Sequence, residues 1–221
     1  MSQNSAPRIS ILGDGTCSFG GVSLPRGIAA AYLYSERYLS YSGFNTVEGT
    51  WWHQLAEKMG GSVLISNGVL GSYVSIKGLY AACLNGRIRS LATEEASPDL
   101  VLIYTGMTDV ANDIPLDAFQ RDYAEMLTKM KKVHPDAQIW CGTLFLGQPP
   151  APNHMYYFEP ETLTNAEEYN QVIRDCVKEA GVNLADFAAQ GFTCSTVDGH
   201  HPDKEGMTAF ADAWLKNIKG E

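Results

Sequence analysis

The chain contains no run of about 18 uninterrupted apolar residues, the length a membrane-spanning helix needs. Its first residues, Met1 to Pro7, carry neither a basic stretch nor an apolar core, so no secretory signal peptide is expected and these residues read as a flexible start. Positive charge is scarce. Sixteen Lys and Arg face 25 Asp and Glu, a net charge of −9, which disfavours nucleic acid and anionic membrane surfaces as partners. Cysteine is sparse, odd in number and scattered: Cys17, Cys83, Cys141, Cys176 and Cys194 show no Cys-x-x-Cys spacing. That pattern excludes the common zinc frameworks and argues for reduced thiols, hence a cytoplasmic setting without a metal. No repeat, low-complexity tract or long charge run interrupts the chain.

What is present is a regular alternation. Short apolar runs at Arg8–Leu12, Ser62–Ser66, Leu100–Thr105 and Gln138–Leu144 read as buried strands, with Val182–Ala185 a weaker fifth. Between them lie helical periods. Phe119, Tyr123, Met126, Leu127, Met130 and Val133 fall on one helix face. Thr164 and Glu167 have the spacing of a capping box for a helix ending at Gly181. Trp51–Met59 and Lys204–Ile218 read as further helices. Strands of this kind separated by helices predict an α/β fold, a five-stranded parallel sheet with helices on both faces, forming one domain over residues 1–221. Two stretches break the alternation, Ser18–Asn45 with Tyr32, Tyr34, Tyr38 and Tyr41, and Gly147–Glu161 with Tyr156, Tyr157 and Phe158. Both follow strands at their carboxyl ends, where ligands sit in open α/β sheets. Their aromatics can wall an apolar pocket or simply pack.

The first strand ends in ILGDGTCSFGG, the second leads into SNGVLGSYVS, the third into TGMTD, and near the C-terminus stands VDGHHPDKEGM. A Gly-Asp turn, a glycine after the second strand, a Gly-x-x-Asp after the third and a final Asp-x-x-His-Pro, in this order, resemble the four blocks of the SGNH (GDSL-type) hydrolase family. GTWWHQLAEKMGG, ahead of the second strand, resembles one branch of that family. The resemblance runs from Arg8 to about Trp214. It implies a flavodoxin-like three-layer sandwich with strand order 2-1-3-4-5, an ester or acyl hydrolase ancestry, a small-molecule ester or acyl ligand, and neither metal nor nucleotide cofactor.

Two positions depart from the family pattern. The serine expected after Gly-Asp is Gly15, and the asparagine expected in the third block is Thr108. In such acyl transfer the serine attacks, a histidine takes its proton and an aspartate orients the imidazole. The resemblance gives the last two roles to His201 and Asp198, and the oxyanion hole to the backbone N–H groups of Gly15 and Gly71 with Thr108 in the asparagine position. Asp14, Thr16, Tyr156 and Tyr157 are expected to line the ligand site, with Asp14 also shaping the first turn. Glycine offers no nucleophile, and Thr108 could donate only through its hydroxyl.

Three readings follow. The chain is a repurposed member that binds an ester-like or acyl ligand; or it is an esterase whose serine was replaced; or His201 with Asp198 acts as general base on water or a substrate hydroxyl without a covalent step. Cys17, two residues past the nucleophile position, reads as a buried small residue, and as a substitute nucleophile only in a differently folded loop. His200 competes with His201 for the catalytic position, which the family pattern assigns to His201. His134 stands at a helix end, where a cation suits the dipole, and Asp109 and Asp113 read as structural carboxylates. The oligomeric state is open.

Overall fold

A computed structural model describes residues 6–78, 80–150 and 154–221. The expected flexible start falls mostly outside the described residues. Five parallel strands form one sheet, β1 (Arg8–Gly13), β2 (Ser62–Gly68), β3 (Leu100–Tyr104), β4 (Gln138–Gly142) and β5 (Asn183–Ala185). Their order is β2-β1-β3-β4-β5, as the resemblance implied. All pairings are parallel, and a register shift between Ile9 and Ser10 slips β1 by one residue along β2. β1 and β3 are the central strands, and Ile9, Ile11, Leu12 and all of β3 are buried. This is why they read as continuous apolar runs without alternation.

Among the described residues, seven α-helices accompany the sheet: α1 (Glu36–Ser42), α2 (Trp51–Lys58), α3 (Asn85–Arg89), α4 (Met107–Ala111), α5 (Leu116–Val133), α6 (Ala166–Ala180) and α7 (Lys204–Lys219). They form two layers, α2 against α7 and α5 against α6 and α3. In the first layer Trp51 stacks on Trp214 at 5.5 Å, and its indole N–H donates to Thr16 O at 3.2 Å. The core thus reaches up to support the turn after β1. In the second layer Phe119, Tyr123, Met126, Leu127 and Met130 are fully buried, while Val133, the last residue of the stripe, is 36% exposed.

Some expectations need correction. The capping box at Thr164 and Glu167 does not form: Thr164 donates its hydroxyl to Glu161 O, and Asn165 precedes α6 without a side-chain cap. Gly181 does end α6, in the left-handed conformation. His134 stands at the end of α5 as expected, but as a buried link, its Nε2 lying 2.8 Å from Ile88 O. The short helices α1, α3 and α4 escaped the sequence reading, because five to seven residues span too few turns to show a period. Among the described residues, no helix is long and apolar enough to cross a membrane.

Candidate active site

Three loops leave the carboxyl ends of the neighbouring strands β2, β1 and β3, and a fourth, before α7, arches over them. After β1, Asp14 caps a 3-10 turn at Gly15–Cys17, accepting from Thr16 N–H at 3.0 Å. This turn forms only because Gly13 has no side chain: a Cβ there would lie 2.2 Å from Cys17 Sγ. After β2, Gly71 turns the chain at φ +69, a conformation that suits glycine. After β3, Thr108 occupies the second position of α4 and is buried.

The fourth loop is held by Asp198. One carboxylate oxygen accepts the backbone N–H groups of His200 (3.1 Å) and His201 (2.8 Å). The other accepts His201 Nδ1–H at 2.9 Å and the hydroxyl of Tyr38. Val197 N–H donates back to His201 O at 2.9 Å, closing the turn. Burial alone would raise the Asp198 carboxyl; the imidazole and these hydrogen bonds outweigh it and hold the group well below the usual carboxylate range. With Nδ1 facing the carboxylate, the lone pair of His201 lies on Nε2. That atom faces the turn after β1: a Cβ built on Gly15 would lie 3.0 Å from it, 2.9 Å from Leu70 Cδ1 and 3.5 Å from Leu33 Cβ.

The structure thus brings His201, Asp198 and Gly15 together. His201 and Asp198 form the dyad, and Gly15 lies at the tip of the imidazole. His200 instead packs on Phe158 at 5.4 Å, and burial and the His201 charge drive its pKa down to about 3, so it stays neutral. Tyr157 stands edge-on to the His201 ring at 4.6 Å, and Tyr156 packs over Gly199. Cys17 points away from the dyad: its buried thiol donates to Tyr104 O at 3.7 Å, and burial pushes it well above the ordinary thiol range. A substitute nucleophile there is ruled out by this geometry. Asp14 is raised to about 6 by burial, against the opposing pull of His201, and its Oδ2 is buried without a partner. Asp109 accepts Val74 N–H at 2.7 Å and Ser75 N–H at 3.3 Å, tying α4 to the Gly71 loop, while Asp113 accepts from Asn165 Nδ2.

Two residues of the site escaped the sequence reading. Tyr38 was visible as one tyrosine among several in Ser18–Asn45, with no spacing that tied it to Asp198. Arg87 carried no signal at all. It is buried, and all five of its donors meet neutral acceptors: Asn67 Oδ1 (3.0 Å), Asn67 O (2.6 Å), Gly13 O (2.8 Å), Tyr80 O (2.7 Å) and the Ser72 hydroxyl. One guanidinium thus fastens the ends of β1 and β2 to the Gly71 loop. Burial lowers its pKa to about 10, still leaving it charged at neutral pH.

A cleft of about 550 Å³ opens beside the dyad, lined by Tyr32, Leu33, Tyr38, Leu70, Met155 and Asp198 among others. A cleft of about 610 Å³ lies between α2 and the outer edge of β2 and holds none of the dyad or turn residues. Of the two, the first borders Asp198. Among the described residues no group of three His, Cys, Asp or Glu side chains could hold a metal ion.

Comparison with known proteins agrees with this architecture. The model of the GDSL-like Lipase/Acylhydrolase family matches residues 13–209. A protein described as a GDSL-like lipase from Bacteroides ovatus superposes with TM-score 0.71 at 17% identity, over 99% of this chain and 100% of that one. Est24, a carbohydrate acetylesterase from Sinorhizobium meliloti, gives 0.65 at 16% identity, and the aryl esterase of M. smegmatis 0.66 at 18%, each over 97% of this chain and 99% of the other. At these identities the likeness shows the fold. No curated protein matches the chain.

Proposed function

The chain belongs to the GDSL-like lipase/acylhydrolase family, and from that premise we propose that it is a repurposed member that binds a small ester-like or acyl ligand without covalent turnover. The observation that carries this reading is the state of the nucleophile position. Gly15 supplies no hydroxyl, and the space a side chain would need is already taken by His201 Nε2 and Leu70 Cδ1, at 3.0 and 2.9 Å from the missing Cβ. A buried serine hydroxyl bonded to that imidazole would need its Cβ a few tenths of an ångström farther away. What remains is a cleft lined mainly by apolar and aromatic side chains, with a few convergent polar groups, the usual make-up of a small-molecule site.

In this reading the N–H groups of Gly15 and Gly71 receive the ligand's carbonyl oxygen, and Thr108 adds a hydroxyl where the family pattern has an amide. Tyr157 and the walls of the cleft hold its apolar part. Five free, buried cysteines support a reducing, cytoplasmic setting. The test is calorimetric titration with short-chain carboxylic esters and their free acids, alongside an assay for hydrolysis. Saturable binding with no turnover supports the reading; ester hydrolysis abolished by His201→Ala overturns it.

A second reading keeps one specific observation in its favour. The dyad is complete, with His201 Nδ1 bonded to Asp198 at 2.9 Å, which is more than a pure binding site requires. His201 then acts as general base on a ligand hydroxyl or water, with no acyl-enzyme. Its signature is slow turnover without a burst and without a mass adduct on the protein.

A further inference from the structure

We infer that Tyr38 is a positioning residue of the dyad that holds His201 to a weaker base than Asp198 alone would make it. The inference rests on the reading of His201 and Asp198 as the proton-handling pair of the site. Asp198 Oδ2 accepts two hydrogen bonds at once, from His201 Nδ1 at 2.9 Å and from the Tyr38 hydroxyl. A carboxylate supports an imidazolium through the negative charge it concentrates on the shared oxygen. A second donor on that oxygen draws part of the charge away, so the bond to Nδ1–H weakens and the ring gains less on accepting a proton at Nε2.

The arrangement is built. Tyr38 comes from α1, in a segment far from the dyad in sequence, and a stack of side chains aims it. Tyr34 meets the Tyr38 ring edge-on at 5.6 Å, while its own hydroxyl donates to Pro202 O at 2.8 Å. The Tyr38 ring lies 6.2 Å from that of His201. One turn along α1, Tyr41 rests on His154 at 5.6 Å, fastening the helix across the cleft to the loop that carries Tyr157. Burial, the charge of Asp198 and the hydrogen bond to it all push the Tyr38 phenol far above its ordinary range, so it remains a donor. The groups that face His201 are Asp198, the neutral His200 ring at 4.4 Å, Tyr157 at 4.6 Å, Tyr38, and Asp14 below. Of these only Asp198 is both bonded to the ring and charged across the neutral range, and Tyr38 acts on it directly. Such a damped base suits a chain with no serine to deprotonate.

The test reads the shared bond in the full chain, with no need of activity. With ¹⁵N-labelled histidine, the His201 Nδ1–H proton is identified by its loss in His201→Gln. In Tyr38→Phe, which keeps the ring, this resonance is expected to move downfield as the bond to Asp198 shortens. An unmoved or upfield resonance overturns the proposal. A second measurement guards against a displaced α1: in the unaltered chain the Tyr38 hydroxyl proton must show a nuclear Overhauser contact to His201 Nδ1–H, and its absence also overturns the proposal. In a Gly15→Ser chain that hydrolyses esters, adding Tyr38→Phe should raise kcat about threefold to tenfold with little change in KM, a small part of the 10²- to 10⁴-fold a positioned base supplies. An unchanged or lower kcat overturns it. An inert Gly15→Ser chain counts against a latent hydrolase and leaves the spectrum to decide the role of Tyr38.

Discussion

On one side of the cleft Asp198 accepts four hydrogen bonds, aims an imidazole and is flanked by Tyr38 and Tyr157. On the other lie Gly15 and Gly71, without side chains, and the buried Thr108. The histidine side is made of side chains, each bonded in place. The glycine side is backbone, which Arg87 and Asp109 hold in position from below. The difference separates a feature made by one side chain from one made by loop conformation. A backbone donor depends on loop conformation, and loop conformation is protected by buried hydrogen bonds that cost stability to remove. A nucleophile depends on one residue.

The largest effect is expected from restoring that residue. Gly15→Ser should increase hydrolysis of an activated short-chain ester by about a thousandfold or more over the unaltered chain, short of the roughly millionfold that a catalytic serine can be worth. The shortfall reflects the displacement that His201 and Leu70 must undergo. A folded but silent variant, with no acyl adduct by intact mass, would show that the histidine side is ornamental.

Arg87→Met attacks the scaffold beneath the glycine side. It removes the guanidinium donors from the carbonyls of Gly13, Asn67 and Tyr80, of which Gly13 O keeps Val69 N–H and Tyr80 O keeps the Ser72 hydroxyl, and should cost about 2–3 kcal/mol in urea unfolding. A loss below about 1 kcal/mol would mean that the loops hold themselves. Thr108→Asn, introduced together with Gly15→Ser, should add about 100-fold in kcat by supplying an amide donor, the lower end of the range one oxyanion-hole donor is worth. No gain would place Thr108 outside the hole.

The smallest effect lies in the pH dependence of stability. The folded Asp14 carboxyl sits near 6 against 3.8 for the model carboxylate, so between those values the folded state binds more protons than the unfolded one. Its contribution is full below about pH 4 and is lost as the pH rises through 6. Asp109, also raised to about 6 by burial, acts in the same direction. Asp198 acts oppositely, stabilising above about pH 4 and losing its contribution in acid. Asp14→Asn should therefore flatten the fall in stability between about pH 4 and 6 by about 2 kcal/mol. Urea midpoints across that window that fall as steeply as in the unaltered chain would overturn the assignment.

Much of this architecture could be read before any coordinates. The strands β1, β2, β3 and β4 announced themselves as apolar runs, because a parallel sheet covered on both faces gives its central strands no polar side. α5 was legible from its stripe and α7 from its apolar period. The failures have physical causes too. Thr164 and Glu167 match a capping box in spacing, but Thr164 is itself helical, closing a 3-10 turn, and α6 starts only after Asn165. The link from His134 to Ile88 O was not legible because it spans 46 residues of sequence.

The residues of the dyad and the first turn lie next to one another within short motifs, so the resemblance to the family could mark their positions, and it marked Gly15 and Thr108 as departures from its pattern as well. Tyr38 and Arg87 act over separations of 160 and up to 74 residues. Neither has a local pattern, since what each needs is a carboxylate or a set of carbonyls brought to it by the packing of distant elements. The surroundings of Gly15 were likewise beyond the sequence. Glycine specifies only that no side chain is there; that a Cβ at this position would meet His201 Nε2 at 3.0 Å and Leu70 Cδ1 at 2.9 Å follows from how the fold packs these distant residues around it.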